Sequence, residues 1–170
     1  MEYWLSGPVE NIPSLLQPVA HALLQAREEV RESVKDFPQS LLWHRPGGAA
    51  SVGFHLQHLT GVLDRLFTYA RGEHLNHQQL EYLKAEGMEN ESIEISELLE
   101  NFNQQVDIAL KQLQDTRENS LLEFRGVGRK RIPSNVIGLL FHTAEHTQRH
   151  TGQLLVTVKI LNASEMKNKE

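Results

Sequence analysis

Apolar side chains recur at steps of three and four residues in four long segments of this chain, namely residues 14–36, 51–72, 96–116 and 131–162. In an α-helix, with about 3.6 residues per turn, that spacing places the apolar side chains on one face. In the second segment the inward positions are Val52, Leu56, Leu59, Leu63 and Leu66. The pattern therefore predicts four long amphipathic helices, each with one face turned toward a shared core.

Turn-forming residues separate the four segments, and the sequence contains no convincing sheet pattern. Residues 119–130 allow a short extended excursion, and residues 78–85 could form a short helix. The sequence therefore predicts an all-α fold, a four-helix bundle with short connecting segments. At 170 residues the chain is expected to form one domain, with residues 1–13 as an extended lead-in and residues 163–170 as a frayed tail.

The last predicted helix, which we expect Ser134 to cap, carries His142, His146 and His150 at intervals of four residues. On a helix His146 and His150 lie about 40° apart and one turn from each other. A histidine pair in this relation can chelate zinc or a similar divalent ion. The same face carries apolar residues such as Leu139, so the pair points inward. The alternative is that these are histidines at the edge of the core, satisfied by hydrogen bonds.

The second predicted helix, which we expect Ser51 to cap, contributes His55 and His58. His58 lies near one edge of the apolar face, and His55 lies roughly 60° around the helix from it. A ligand at such an edge can be shielded from water yet open to a cleft, as a catalytic metal with an open position requires. Either histidine alone could instead be structural. Because metal sites in bundles are built from facing helices, His58 can meet His146 and His150.

Composition narrows the chemistry that this chain can supply. It contains no cysteine, which excludes disulfides, a thiol nucleophile and a thiolate ligand from this chain, and leaves its nine histidines and its acids as ligands. The net charge of −5, without a basic stripe, gives little support to nucleic-acid binding. No apolar run reaches membrane-spanning length and the first residues do not resemble a signal peptide, so we expect no membrane association and a cytoplasmic location.

The stretches SVGFHLQHLTG on the second predicted helix and HTAEHTQRHTGQL on the last resemble the DinB-like family, four-helix bundles that are often dimeric and are proposed to be metalloenzymes. That family carries one inward histidine on its second helix and a pair four residues apart on its last, just before Gly-Gln. By this correspondence the metal ligands are His58, His146 and His150. Thr151 stands where the family often has arginine, and His55 and His142 are further histidines toward which a ligand could swap.

The resemblance also implies a function. Some relatives are thiol transferases or isomerases that use a low-molecular-weight thiol, such as bacillithiol, mycothiol or glutathione, whose thiolate the metal activates. The resemblance thus implies a divalent metal ion, zinc above all with nickel, manganese or iron as further options, a small-molecule substrate and a homodimer. The leading hypothesis is a metal-dependent transferase or hydrolase. The alternative is a non-catalytic metal-binding or structural dimeric bundle, and the sequence does not name the metal because all-nitrogen sites accept several ions.

Overall fold

Five helices and one hairpin make up the fold, and the computed structural model describes residues 2–167, with side chains to residue 165. The prediction of a mainly helical chain is confirmed. In chain order the elements are α1 (Gln17–Val34), α2 (Val52–Ala70), α3 (His77–Ala85), α4 (Ile95–Asp115), β1 (Phe124–Val127), β2 (Ile132–Asn135) and α5 (Val136–Lys167). Short 3-10 turns precede α1 and α2 and follow α4.

Each of the four long helices packs mainly against two others. Helix α5 lies against α1 and α2, and α4 lies against the same two helices on the other side. The core between them is made of fully buried side chains from all four helices, among them Leu23, Leu56, Phe67, Phe102, Leu140 and Leu154. The contact between α2 and α5 is the most extensive, and it brings the two histidine-bearing helices together.

The start of α5 differs from the prediction. Residues 124–127 and 132–135 form an antiparallel hairpin in which Val127 pairs with Ile132 and Arg125 pairs with Ser134. Ser134 is therefore part of a strand, and the prediction that it caps the helix is wrong. The helix begins only after the strand ends, and Asn135 caps it, because its side-chain oxygen accepts a hydrogen bond from Gly138 N at 2.8 Å.

Both ends of the described chain contain more regular structure than the extended lead-in and frayed tail that the sequence predicts. Residues 3–5 make a 3-10 turn, and Tyr3 N donates a hydrogen bond to Gln25 Oε1 on α1 at 3.0 Å. Helix α5 continues to Lys167, so residues 163–167 of the expected tail are helical. Residue 1 and residues 168–170 lie outside the described part of the chain. Across residues 2–167, no helix combines the length and the apolar character needed to cross a membrane.

The loop before α2 fixes the start of the helix that carries His55 and His58. Ser51 caps this helix as predicted, since its Oγ accepts a hydrogen bond from Phe54 N at 3.1 Å. Gly53 N donates to Leu42 O at 2.9 Å, and the Trp43 ring lies directly over Gly53. The lack of a side chain at position 53 therefore lets the loop close onto the helix.

We expect Gly53→Ala to lower the free energy of unfolding by about 1–3 kcal/mol, because an added Cβ would lie 2.5 Å from Trp43 Cζ3. The matched control is Gly152→Ala on α5, where nothing lies within 4 Å of the added Cβ. Alanine favours a helix over glycine, so this control should stabilise the protein by roughly 0.5–1 kcal/mol. Urea unfolding of both variants measures the difference, and equal stability of the two would contradict the described packing.

Candidate metal centre

His58 on α2 meets His146 and His150 on α5 at the contact between the two helices. One ring nitrogen from each of these histidines lies within 4.8 Å of the others. The Nε2 atoms of His58 and His146 are 3.0 Å apart, and the rings of His58 and His150 are 4.3 Å apart between centroids. Two nitrogens bound to one tetrahedral zinc ion lie roughly 3.3 Å apart, so the observed spacing is close to a ligating one. The three histidines singled out from the sequence are thus brought together, and metal binding by them stays a prediction.

The hydrogen bonds of these rings indicate which nitrogens face the centre. His58 Nδ1 is 2.7 Å from Glu86 Oε2, and His150 Nδ1 is 3.3 Å from His55 Nδ1. In both histidines this leaves Nε2 for an ion. His146 turns Nε2 toward His58, while its Nδ1 is buried and has no hydrogen-bond partner among the described residues. A donor set of three imidazole nitrogens, with no carboxylate among them, fits zinc, nickel, copper or iron.

Glu86 supplies the carboxylate that orients His58. It follows directly on the end of α3, and its side chain is only 5% exposed. Its other oxygen accepts a hydrogen bond from Arg65 Nη1 on α2, so the buried charge is paired. A carboxylate on the far nitrogen of a metal-binding histidine fixes the tautomer and the ring orientation, and raises the basicity of the ligand. Gly61 leaves the space for this arrangement, because a Cβ there would collide with both Glu86 and Arg65.

Neither Glu86 nor Arg65 was singled out from the sequence. Arg65 is in fact buried, at 8% exposure, and it follows His58 by seven residues, which is two turns along the same face of α2. A charged residue at that spacing from an inward histidine is a signal for a buried partner. Glu86 carries no such local signal, since it is the single residue between the end of α3 and Gly87, in a polar part of the sequence.

Burial lowers the pKa of three histidines at or beside the centre, namely His55, His146 and His150. Desolvation, with the nearby His58 adding to it, lowers the pKa of His150 to about 4 and the pKa of His55 to about 4. Desolvation also lowers the pKa of His146. Phe54 stacks on His58 with the ring centroids 5.2 Å apart and the planes 11° from parallel. Near pH 7 the lone pairs of His146 and His150 are therefore available to an ion.

The two additional histidines take different positions. His55 lies behind His150, on the side away from His58, and belongs to no group of potential ligands among the described residues. His142 forms a second possible group with Glu145 and His146, and its Nδ1 is 2.8 Å from Glu145 Oε1. This second group is more exposed, with the His142 side chain half accessible to solvent. Both groups contain His146. In the first group His58 and His150 complete the set, and in the second His142 and Glu145 do so.

A helical fold in which three inward imidazoles converge defines a protein with a candidate divalent-metal centre. Comparison with known families agrees with this class. The sequence model of the DinB superfamily matches residues 22–154, which is more than half of the chain and includes all of the histidines discussed above. The chain therefore belongs to the DinB superfamily, and the resemblance seen in its motifs is confirmed. No curated protein matches the sequence.

We expect Glu86→Gln to weaken metal binding about 10- to 100-fold, because the neutral amide orients His58 less strongly and leaves the Arg65 charge buried without a counter-charge. Glu89→Gln is the matched control: it makes the same change three residues further on, at an exposed position. Competition with a chromogenic chelator measures the dissociation constants. A Glu86→Gln protein that binds metal as tightly as the control would show that this carboxylate does not support the site.

We expect the free energy of unfolding of the metal-free protein to fall as the pH drops from about 6.5 toward 4. In the unfolded chain His55 and His150 take up protons near pH 6.5, whereas in the folded protein they do so only near pH 4. Protonation in this window therefore favours the unfolded state. Urea unfolding at several pH values after chelation measures the effect, and His55→Gln should make the dependence shallower. An unchanged slope in that variant would contradict the lowered pKa of His55.

Proposed function

We propose that this protein is a metal-dependent enzyme in which His58, His146 and His150 hold one divalent ion inside a four-helix bundle. The observation that carries the proposal is the convergence of the three imidazoles within 4.8 Å at a partly buried position. Zinc is the ion we expect, and nickel or iron are alternatives that suit imidazole ligands. Manganese, which the family resemblance also implies, prefers oxygen ligands and fits this set less well. Membership of the DinB superfamily adds to this support.

The residues around the centre suit a catalytic ion better than a purely structural one. Three protein ligands are typical of catalytic zinc sites, whereas structural sites are usually closed by four. When bound at such a site, a divalent ion lowers the pKa of a water or thiol and so supplies a nucleophile at neutral pH. Here Glu86 holds the His58 ring in place and the buried Arg65 balances the carboxylate charge. Their contribution is to fix the ligands before the reaction begins.

For the substrate we propose a small molecule that reacts through a low-molecular-weight thiol. The family resemblance supports a thiol-dependent transferase or isomerase. The absence of cysteine from the chain is compatible with it, since the thiol is then a cosubstrate rather than a side chain. Hydrolysis through a water molecule is the other reaction that the same ligand set can serve.

A homodimer in the cytoplasm, without nucleic-acid or membrane partners, remains part of the proposal. Several large apolar side chains are exposed, among them Trp4, Leu122, Phe124 and Phe141. Such side chains are consistent with association between copies, although single exposed apolar residues are common on monomers. Light scattering at high micromolar concentration measures the oligomeric state.

Replacing His58, His146 or His150 singly by alanine should each remove most of the metal, because every change leaves a two-histidine site whose affinity falls by orders of magnitude. His142→Ala is the matched control. His55→Ala removes a partner of His150 but no ligand, so neither change should remove most of the ion. Metal analysis of untagged protein, after circular dichroism has shown that each variant folds, measures the occupancy.

The same set of variants separates the competing sites. Loss of metal in His142→Ala with retention in His58→Ala would assign the ion to the exposed group of His142, Glu145 and His146. Full occupancy in both His146→Ala and His150→Ala would end the metalloenzyme proposal. In cobalt-substituted protein, a new near-ultraviolet charge-transfer band on addition of a thiol would support the thiol cosubstrate. Tight metal binding with no response to any thiol or electrophile would favour the non-catalytic alternative.

A further inference from the structure

A cavity of about 510 Å³ opens beside the candidate metal centre, between α5 and the loop that precedes α2. This volume lies in the range of sites that bind small molecules. Its lining includes Ala49 and Ala50 from the loop, His55 from α2, and Arg149, Val156 and Ile160 from α5. His55 also contacts His150, so it joins the cavity to the metal centre.

Most of the cavity wall is apolar. Val156 and Ile160 lie one turn apart on α5 and are 56% and 48% exposed, and Ala49 and Ala50 face them from the loop. Large aliphatic side chains left half exposed around a concave surface can be covered by the apolar part of a ligand, which removes their surface from water. The walls therefore suit an alkyl or aryl chain rather than a sugar or a nucleotide.

His55 presents one unpaired nitrogen at this cavity. The residue is only 3% exposed, its Nδ1 is engaged with His150, and its Nε2 forms no hydrogen bond within the described residues. If His150 binds an ion through Nε2, its proton must be on Nδ1, since a neutral imidazole carries only one. His150 then donates to His55 Nδ1, and the proton of His55 must be on Nε2. The cavity is thereby given a hydrogen-bond donor.

Arg149 adds a positive charge to the same lining. One of its donors, Nη2, bonds Glu145 Oε2 at 2.6 Å, and its other N–H groups form no hydrogen bond among residues 2–165. A guanidinium has five N–H donors, so most of its capacity remains for a ligand. The Arg149 side chain is 55% exposed, so these donors lie at the rim of the cavity, where a guanidinium can form charge-assisted hydrogen bonds with an anionic oxygen of a ligand.

We propose that this cavity binds a carboxylate with an apolar chain, its oxygens accepting hydrogen bonds from His55 Nε2 and Arg149 and its chain lying against Val156 and Ile160. This assignment deepens the proposed function and rests on it, because the proton of His55 is on Nε2 only when His150 binds an ion. None of the three proposed ligands lines the cavity, so the assignment places an amphiphilic carboxylic acid next to the metal centre, in contact with His55, and not on the ion itself.

The test uses octanoate as the probe and octanamide as its neutral counterpart, titrated by calorimetry into the metal-loaded full chain. We expect octanoate to bind at least about tenfold more tightly than octanamide. Arg149→Gln should remove most of that preference. Val156→Trp should fill the cavity and weaken both ligands about tenfold or more, whereas Leu122→Trp, at an 80% exposed position elsewhere, should leave binding unchanged.

Two results would overturn the proposal: equal binding of octanoate and octanamide, or octanoate binding that survives Val156→Trp. Ile160→Trp provides a second way to fill the cavity if Val156→Trp does not fold. Removing the metal should weaken octanoate binding, because the His150 proton is then free to move to Nε2. If the protein takes up no metal at all, the proposed function fails, but octanoate binding that depends on Arg149 and Val156 would still support the cavity assignment.

Discussion

Three partly buried imidazole rings between α2 and α5 impose the constraint on which the rest of the site depends. Burial there removes water from the ring nitrogens, which lowers the pKa of His146 and His150 and favours partners on the protein for those nitrogens. His58 finds one in Glu86, and His150 finds one in His55. The nitrogens that remain turn toward one another across the helix contact. A divalent ion is a partner that can satisfy several such lone pairs at once, so the three rings together could hold one.

The need to pair the polar groups around His58 also involves helix α3 and the residues at its end. A buried carboxylate is costly unless it is paired, and Glu86 is paired with Arg65 as well as with His58. Helix α3 ends at the residue before Glu86, and Gly87 N donates a hydrogen bond to Gln57 Oε1 on α2 at 2.7 Å. A capping box at Asn76 and Gln79 starts the same helix. This short helix thus positions the Glu86 carboxylate next to His58.

His55 connects the two parts of the proposed site, the metal centre and the apolar cavity. A neutral imidazole carries its proton on only one nitrogen. An ion on His150 therefore decides whether His55 Nε2 is a hydrogen-bond donor or an acceptor toward the cavity. An ion and a carboxylate ligand would then favour each other's binding, and thermodynamic linkage requires the effect to be reciprocal. Arg149, held at one end by Glu145, adds its charge without depending on the ion.

The sequence by itself determined the features whose causes lie within a turn or two of helix. Apolar periodicity was enough to predict the four long helices, Ser51 was recognisable as a cap, and the spacing of His146 and His150 placed both on one inward face. Family motifs, rather than spacing, selected His58 over His55. For His58 and His55, the rotation and depth of two packed helices decide which ring faces α5 at the centre, and no local pattern contains that information.

Only the tertiary structure decided the contacts between distant parts of the chain. Glu86 reaches His58 across 28 residues of sequence, and the buried Arg65 pairs with the same carboxylate just past the end of α3. Serine is a residue type that often caps helices, yet Ser134 pairs with Arg125 of β1 and is part of a strand. Helix α5 therefore begins only at Val136. For Ser134 the local preference for capping is worth about 1 kcal/mol, and the pairing of the two strands outweighs it. The helices follow from local pattern, whereas the partners of the buried polar groups follow from how those helices pack.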